Sequence, residues 1–243
     1  MASPLLAADY ASIVLLGRFQ PELLSPKWML AQEILSPADV SAAQYELLIP
    51  GQVASYEAGW LRCQLQANSL QISTTEPADF ERLRDVAVAL LRASADTPIS
   101  QMGLNRAIHF EVDSFEKWHT VGDNLVNNDV WKDVLQLPGM RTLTIWAGRS
   151  DKYWGRIQVQ IEPSNVYRSA VYVAFNDHFD LTRADTQPAS REESLAGQRR
   201  DDTEATFEKI PIAVEILTNE WGSSFRRSTA VIDRVMQQAG KSR

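Results

Sequence analysis

The sequence lacks the features of secreted and membrane-spanning proteins. Its 243 residues contain a single cysteine, Cys63, so no disulfide can form within the chain. No apolar run reaches the roughly 18 residues of a transmembrane helix. The first residues lack the basic region and the full apolar core of a signal peptide. We therefore expect a cytoplasmic protein with no membrane partner.

Positive charge is also scarce. The formal net charge is −7, and neither part of the chain is basic. The first 96 residues carry 6 Lys/Arg against 11 Asp/Glu, and the remainder carries 18 against 20. Nucleic-acid binding depends on an excess of basic residues that displace counterions from phosphates. A dedicated nucleic-acid binder is therefore disfavoured.

The common catalytic motifs are missing as well. The chain has no glycine-rich phosphate loop, no dinucleotide fingerprint, no Gly-x-Ser-x-Gly elbow, no His-Glu-x-x-His and no Cys-x-x-Cys. These absences argue against the commonest nucleotide-binding, zinc-protease and serine-hydrolase functions. We expect no cofactor and no bound metal.

What is present is the pattern of a mixed α and β protein. Hydrophobic residues make up 44% of the chain, which is enough for a sizeable core. Leu61, Cys63 and Leu65 alternate with polar residues, as in an antiparallel strand with one solvated face. Cys63 is thus expected to be a buried hydrophobic residue. Helices are indicated after Ser25 and Ser36, over 78–95, after Ser114, and over about 203–239.

Three further strands are predicted at about 140–147, 154–162 and 169–176. Their short connections predict an antiparallel meander. The inferred register places Asn176 opposite Gly155 and keeps Glu162 far from His178. Residues 182–202 have almost no apolar side chains, which predicts a flexible polar loop.

These patterns predict an α+β fold. Antiparallel strands form one extended sheet or two sub-sheets, with helices on one face and a helical C-terminus packed back onto the sheet. Residues 1–243 form a single compact domain, or two intimately packed halves at about 1–96 and 97–243.

The candidate site lies at the end of the meander. There the predicted turn at 148–153 lies beside the end of the third predicted strand. His178 is the candidate general base, and Asp177 or Asp151 is the candidate for the group that orients it. The ligand-binding candidates are Arg149, Tyr153 and Asn176. The competing interpretation is structural, because Asn and Asp at a strand end commonly bond to nearby backbone amides. A metal site joining His109 to His178 would need a third ligand, which the sequence does not identify.

Two functions remain open. The first is a non-enzymatic interaction protein, meaning an adaptor, accessory subunit or chaperone-like binder in a bacterial cytoplasmic assembly. The absence of catalytic motifs, the solvated sheet faces rich in Gln and Thr, and the polar segment favour it. Free strand edges also allow a homodimer. The alternative is an enzyme or binder that acts on a small polar or phosphorylated ligand around His178.

Overall fold

The computed structural model describes residues 5–21, 24–149, 151–183 and 204–240. The strands, numbered in chain order, are β1 Leu5–Gly17, β2 Gln44–Ile49, β3 Val53–Ala58, β4 Leu61–Gln66, β5 Ser69–Thr74, β6 Ile99–Glu111, β7 Leu143–Gly148, β8 Tyr153–Pro163 and β9 Ala170–Arg183. The helices are α1 Pro26–Ala31, α2 Pro37–Ser41, α3 Phe80–Ala93, α4 Phe115–Leu125, α5 Ile210–Asn219 and α6 Trp221–Met236.

All nine strands belong to one antiparallel sheet in the order β2-β3-β4-β5-β1-β6-β9-β8-β7. Strands β1 and β6, of 13 residues each, pair at its centre. Each is flanked by a meander that follows it in the chain, β2 to β5 on one side and β7 to β9 on the other. Each half of the chain therefore consists of one long strand followed by a meander. The two halves join where β1 pairs with β6, and together they form a single continuous sheet.

One face of this sheet, the covered face, packs against the helices. Alternation within each strand sends every second side chain to that face, and two apolar clusters form there. The larger cluster joins the first meander to α3 and α5, with Ile13, Leu83 and Ile216 among its members. The smaller one joins β6, β8 and β9 to α4 and α6, and includes Phe110 and Ile232. The predicted α+β class, with helices on one face, is confirmed.

Local sequence signals begin several of the helices. Ser25 and Ser36 each accept a backbone N–H from the first turn of the helix that follows, and a proline begins both helices. Ser114 caps α4 in the same way. The helix starts predicted at these three serines are confirmed.

The predicted meander is confirmed, but its predicted register is wrong. Asn176 pairs with Gln158, three positions from the expected Gly155. The β8–β9 connection closes later than expected, because Ser164 N–H bonds to Ala170 O and Ser169 takes a left-handed conformation. Glu162 faces Tyr172, six residues before His178, so the two predicted to stay apart do lie apart.

The polar segment predicted at 182–202 lies mostly outside the described residues, since β9 continues to Arg183 and the description resumes at Glu204. Within the described residues, no helix has the length and apolar character needed to cross a membrane.

Candidate functional site

The other face of the sheet, the uncovered face, carries a groove of about 670 Å³. No helix of the described residues contributes to its lining, which comes from strands and their adjoining turns. Most of its lining side chains are uncharged and polar or aromatic: Tyr10, Ser12, Trp60, Gln71, Ser73, Thr75, Asn105, Gln158, Gln160, Tyr172 and Asn176. The volume falls within the roughly 300–1,000 Å³ typical of ligand sites.

The groove crosses the strands, because its central residues face each other across the sheet. Register pairs Arg62 with Ser73, Ser73 with Ser12, Ser12 with Asn105, Asn105 with Asn176, and Asn176 with Gln158. This polar row therefore spans six strands, from β4 to β8. Ala107 and Ala174 pair in the neighbouring row, and their short side chains leave room above the sheet.

Three polar atoms on groove-lining residues are buried without a hydrogen-bond partner. They are Trp60 Nε1, Asn105 Oδ1 and Asn176 Oδ1. Asn105 uses its other amide atom, since Nδ2 donates to Ser12 Oγ at 3.3 Å. Buried polar groups in folded proteins are nearly always paired, and an unpaired one costs roughly 1–3 kcal/mol. The groove therefore holds hydrogen-bonding capacity that the described residues leave unused.

His109 lies near one end of the groove, but it is enclosed. Its ring packs against those of Tyr10, Tyr167 and Tyr172, with centroids 4.9 to 5.7 Å away. Its Nδ1 lies 2.9 Å from Ser164 Oγ, which also accepts the backbone N–H groups of Val166 and Tyr167. Burial lowers the pKa of His109. This histidine therefore fastens the β8–β9 connection.

Of the site candidates from the sequence, three come together on the covered face. Arg149 binds the carboxylates of both Asp151 and Asp177. Arg227 from α6 donates to the second oxygen of Asp177 at 2.7 Å. The Asp177 side chain is fully buried, with 0% exposed. We call these four residues the buried ion cluster; it ties the β7–β8 turn and α6 to the centre of β9.

The buried ion cluster is electrostatically balanced. Burial works against the charge of Arg149, but its bonds to Asp151 and Asp177 outweigh burial and raise its pKa. Burial likewise tends to raise the pKa of Asp151, and the Arg149 contacts reverse that effect and hold it below its usual value. The guanidinium of Arg149 also lies 3.6 Å from the centre of the Phe179 ring. The cluster's contacts are those of a structural joint.

The remaining candidates lie elsewhere. Asn176 and His178 flank Asp177 in β9, so alternation sends them to the uncovered face. His178 Nε2 lies 3.1 Å from Asp180 Oδ1, so the carboxylate beside the histidine is Asp180, two residues further along β9. Tyr153 is buried and its hydroxyl donates to Glu215 at 2.9 Å. Arg149 reaches the backbone carbonyl of His178, at 3.4 Å, but the imidazole of His178 points to the opposite face of the sheet.

The two histidines considered for a metal site are separated along β6 and β9. His109 pairs with Tyr172, and His178 pairs with Gly103, six residues further along each strand. Among the residues that the structure describes, no group of three or more His, Cys, Asp or Glu side chains is arranged to hold a metal ion. Cys63 is buried beneath the covered face, where burial raises the pKa of its thiol to about 12.

Sequence reasoning missed most of the groove. The glutamines and asparagines on alternate strand positions indicated a solvated sheet face, but they did not show that Ser12, Asn105 and Gln158 share one row. Arg227 was missed too, because its partner Asp177 lies 50 residues earlier in the chain. Only the pairing of distant strands and helices reveals both features.

No protein-family model matches the chain, and a search of the curated proteins finds no match.

Proposed function

We propose that this protein is a non-enzymatic interaction protein that holds a polypeptide segment in the groove of the uncovered face. In this proposal it acts as an adaptor, accessory subunit or chaperone-like binder in a bacterial cytoplasmic assembly. The observation that carries the proposal is the lining of the groove, which is dominated by amides, hydroxyls and aromatic rings.

The chemistry of this lining favours binding over catalysis. Among the lining residues that the structure describes there is no histidine, cysteine, lysine or aspartate, and the charged ones are Glu57, Arg62, Glu76 and Arg106. Its serines, Ser12 and Ser73, therefore have no histidine or lysine base beside them within the lining. Tyr10, Trp60 and Tyr172 supply aromatic contact area, as binding surfaces commonly do. A surface of this kind holds a ligand by hydrogen bonds and ring contacts without activating a nucleophile.

The experiment selects peptides from a displayed random library on immobilised protein and maps the binding site by NMR. We expect selected peptides to shift the resonances of Ser12, Asn105 and Gln158. Ala107→Trp, which fills the groove, should reduce peptide affinity at least tenfold. Ala38→Trp, the same substitution on an exposed position of α2, should leave affinity unchanged.

Two results would contradict the proposal. One is a library that yields no peptide whose binding depends on Ala107. The other is a set of peptides that bind with equal affinity to the Ala107→Trp variant.

The exposed edge of the sheet supports a second element of the proposal, a homodimer formed by strand addition. Every residue of β2 is exposed, including Tyr45, Leu47, Leu48 and Ile49. A long apolar edge strand is a template for pairing with another chain. We expect dimers by sedimentation, and Leu48→Lys should shift them toward monomers. A wild-type protein that sediments only as a monomer would contradict this element.

The alternative function, a site for a small polar or phosphorylated ligand around His178, has one observation in its favour. Asp180 lies within hydrogen-bonding distance of His178 and is placed to orient the ring of a general base. Arg149, the predicted anion-binding residue, is already bound to two carboxylates. His178→Ala separates the two functions: loss of ligand turnover at unchanged stability favours the enzyme, and unchanged peptide binding favours the interaction protein.

A further inference from the structure

We propose that the groove recognises the peptide backbone of an extended segment, largely independently of its side chains. This inference rests on the proposed function and specifies which part of the ligand the groove recognises. It follows from the unpaired atoms of the groove, the kind of side chains that line it, and its direction across the strands.

The unpaired atoms are the complement of a peptide group. Trp60 Nε1 is a donor without an acceptor, and Asn105 Oδ1 and Asn176 Oδ1 are acceptors without donors. A peptide group carries one acceptor, its C=O, and one donor, its N–H. An extended chain in the groove can therefore supply partners of both kinds. The terminal torsion of asparagine is soft, so in this proposal each amide rotates to present its Oδ1 to the groove, and Asn105 gives up its bond to Ser12 in doing so.

The surrounding amides extend this match along the groove. Gln71, Gln158 and Asn176 each carry two N–H donors and one carbonyl acceptor. Asn105 and Gln160 carry the same groups, but each already donates one N–H, to Ser12 and to Glu162 respectively. A side-chain amide thus forms the same hydrogen bonds as a backbone amide, in either direction of the ligand chain. Since every residue except proline has the same backbone groups, recognition by these amides tolerates many ligand sequences.

The dimensions fit a short extended segment. The polar row from Arg62 to Gln158 spans six strands, which at about 4.8 Å between strands makes a path of about 24 Å. An extended chain of about seven residues covers that distance at about 3.3 Å per residue. The path runs across the strands, so this segment does not add to the sheet as another strand. Ala107 and Ala174 leave space for it above the sheet.

An extended segment suits these groups better than a helix does. The N–H and C=O groups in the middle of a helix are already bonded to each other, and they have nothing to offer the unpaired atoms of the groove. Both arginines of the lining are occupied, because Arg62 pairs with Glu46 at 2.7 Å and Arg106 with Asp9 at 2.7 Å. These pairings disfavour an anionic group of a ligand and are compatible with an uncharged backbone.

The test compares one peptide with its ester analogue. The probe is an acetylated and amidated octapeptide of alternating serine and threonine. In the analogue a single central ester replaces an amide, which removes one N–H and keeps the shape of the chain. We expect the ester to bind up to about tenfold more weakly, as for the loss of one hydrogen bond. Changing individual serines or threonines to alanine should alter affinity less than twofold.

The variants Asn105→Leu and Asn176→Leu test the same step from the side of the protein. Each variant removes one acceptor, so the variant that loses the partner of the deleted N–H should abolish the difference between the amide and the ester. The melting temperature should change little, because Asn105→Leu loses only the bond to Ser12 and the Oδ1 of Asn176 has no partner among the described residues. Gln44→Leu is the matched control, since Gln44 is an exposed amide on β2 outside the groove lining.

Several outcomes would overturn the inference. The first is equal binding of amide and ester, and the second is binding that follows the identity of the side chains. The third is a library that yields only helical peptides. In each of these cases the groove still binds polypeptide, so the proposed function stands while backbone recognition fails. If no peptide engages the groove at all, the proposed function fails with it.

Discussion

Two adjacent residues of β9 show how differently the two faces of the sheet treat polar groups. Asp177 is on the covered face and is fully buried, and both of its oxygens bind arginines. Asn176 is on the uncovered face, and its buried Oδ1 has no partner among the described residues. The two residues are adjacent in the sequence. Their surroundings differ because successive side chains of a strand point to opposite faces of the sheet.

The comparison indicates which polar residues support the fold and which are available for function. A charge placed between helices and sheet is tolerated only when it is paired, and the buried ion cluster meets that condition. Beneath the groove of the uncovered face, the Oδ1 atoms of Asn105 and Asn176 are buried without a partner among the described residues. In the buried ion cluster both oxygens of Asp177 are paired, although Arg227 Nε has no partner among the described residues. Paired carboxylates characterise the joint, and unpaired amide oxygens characterise the candidate site.

The largest decrease in the free energy of unfolding is expected when the buried ion cluster is broken. Asp177→Asn removes the charge that neutralises Arg149 and Arg227, and leaves a buried guanidinium with one carboxylate partner, Asp151. Loss of one partner from a buried ion pair costs about 3 kcal/mol or more. Urea denaturation should show this decrease in the free energy of unfolding. A decrease below about 1 kcal/mol would mean that solvent reaches the cluster.

A smaller effect is expected on the pH dependence of stability. The pKa of Asp151 is held below its usual value, so its contribution is fully present above the ordinary carboxyl pKa of about 4 and is lost as the pH falls through the lower folded value. Asp151→Asn should therefore reduce stability at neutral pH and flatten its decline in acid. Thermal unfolding across an acidic pH series measures this.

The control for the pH series is Asp113→Asn. Asp113 pairs with Lys117 on the surface with 71% of its side chain exposed, so its removal should leave the acid profile unchanged. Profiles of equal steepness in wild type and Asp151→Asn would contradict the role given to the ion cluster.

The smallest effect on stability is expected next to Asp177. Asn176→Leu removes an unpaired acceptor, so the free energy of unfolding should change by less than about 1 kcal/mol, or even rise slightly. Urea denaturation beside Asp177→Asn makes the comparison direct. A loss as large as that of Asp177→Asn would show that Asn176 supports the fold, and would remove it from the binding site.

Much of the fold was predictable, because its signals are local. Serine followed by proline marked the starts of α1 and α2, and alternation in β4 marked a strand with one buried face. The antiparallel meander followed from short connections. Its register did not, because the β8–β9 connection closes between Ser164 and Ala170 with Ser169 in a left-handed conformation, which no pattern in the sequence indicates. An error of three positions was enough to assign the wrong neighbours to Asn176.

The candidate site was predictable only in part. The structure brings Arg149, Asp151 and Asp177 together, as the sequence predicted, but Asp177 lies in the middle of β9 and not just past a strand end at residue 176, because β9 continues to Arg183. The sequence grouped His178 with them because it did not distinguish the two faces of β9. It did not find the groove, whose row joins Ser12 to residues more than 90 positions away.

The sequence by itself determined that this chain forms antiparallel strands and amphipathic helices, because periodicity and capping act over a few residues. The tertiary structure alone decided that nine strands join in one sheet, that Arg227 reaches Asp177, and that a row of amides crosses six strands. Those features depend on contacts between segments far apart in the chain, and their geometry is set by packing that no local pattern encodes.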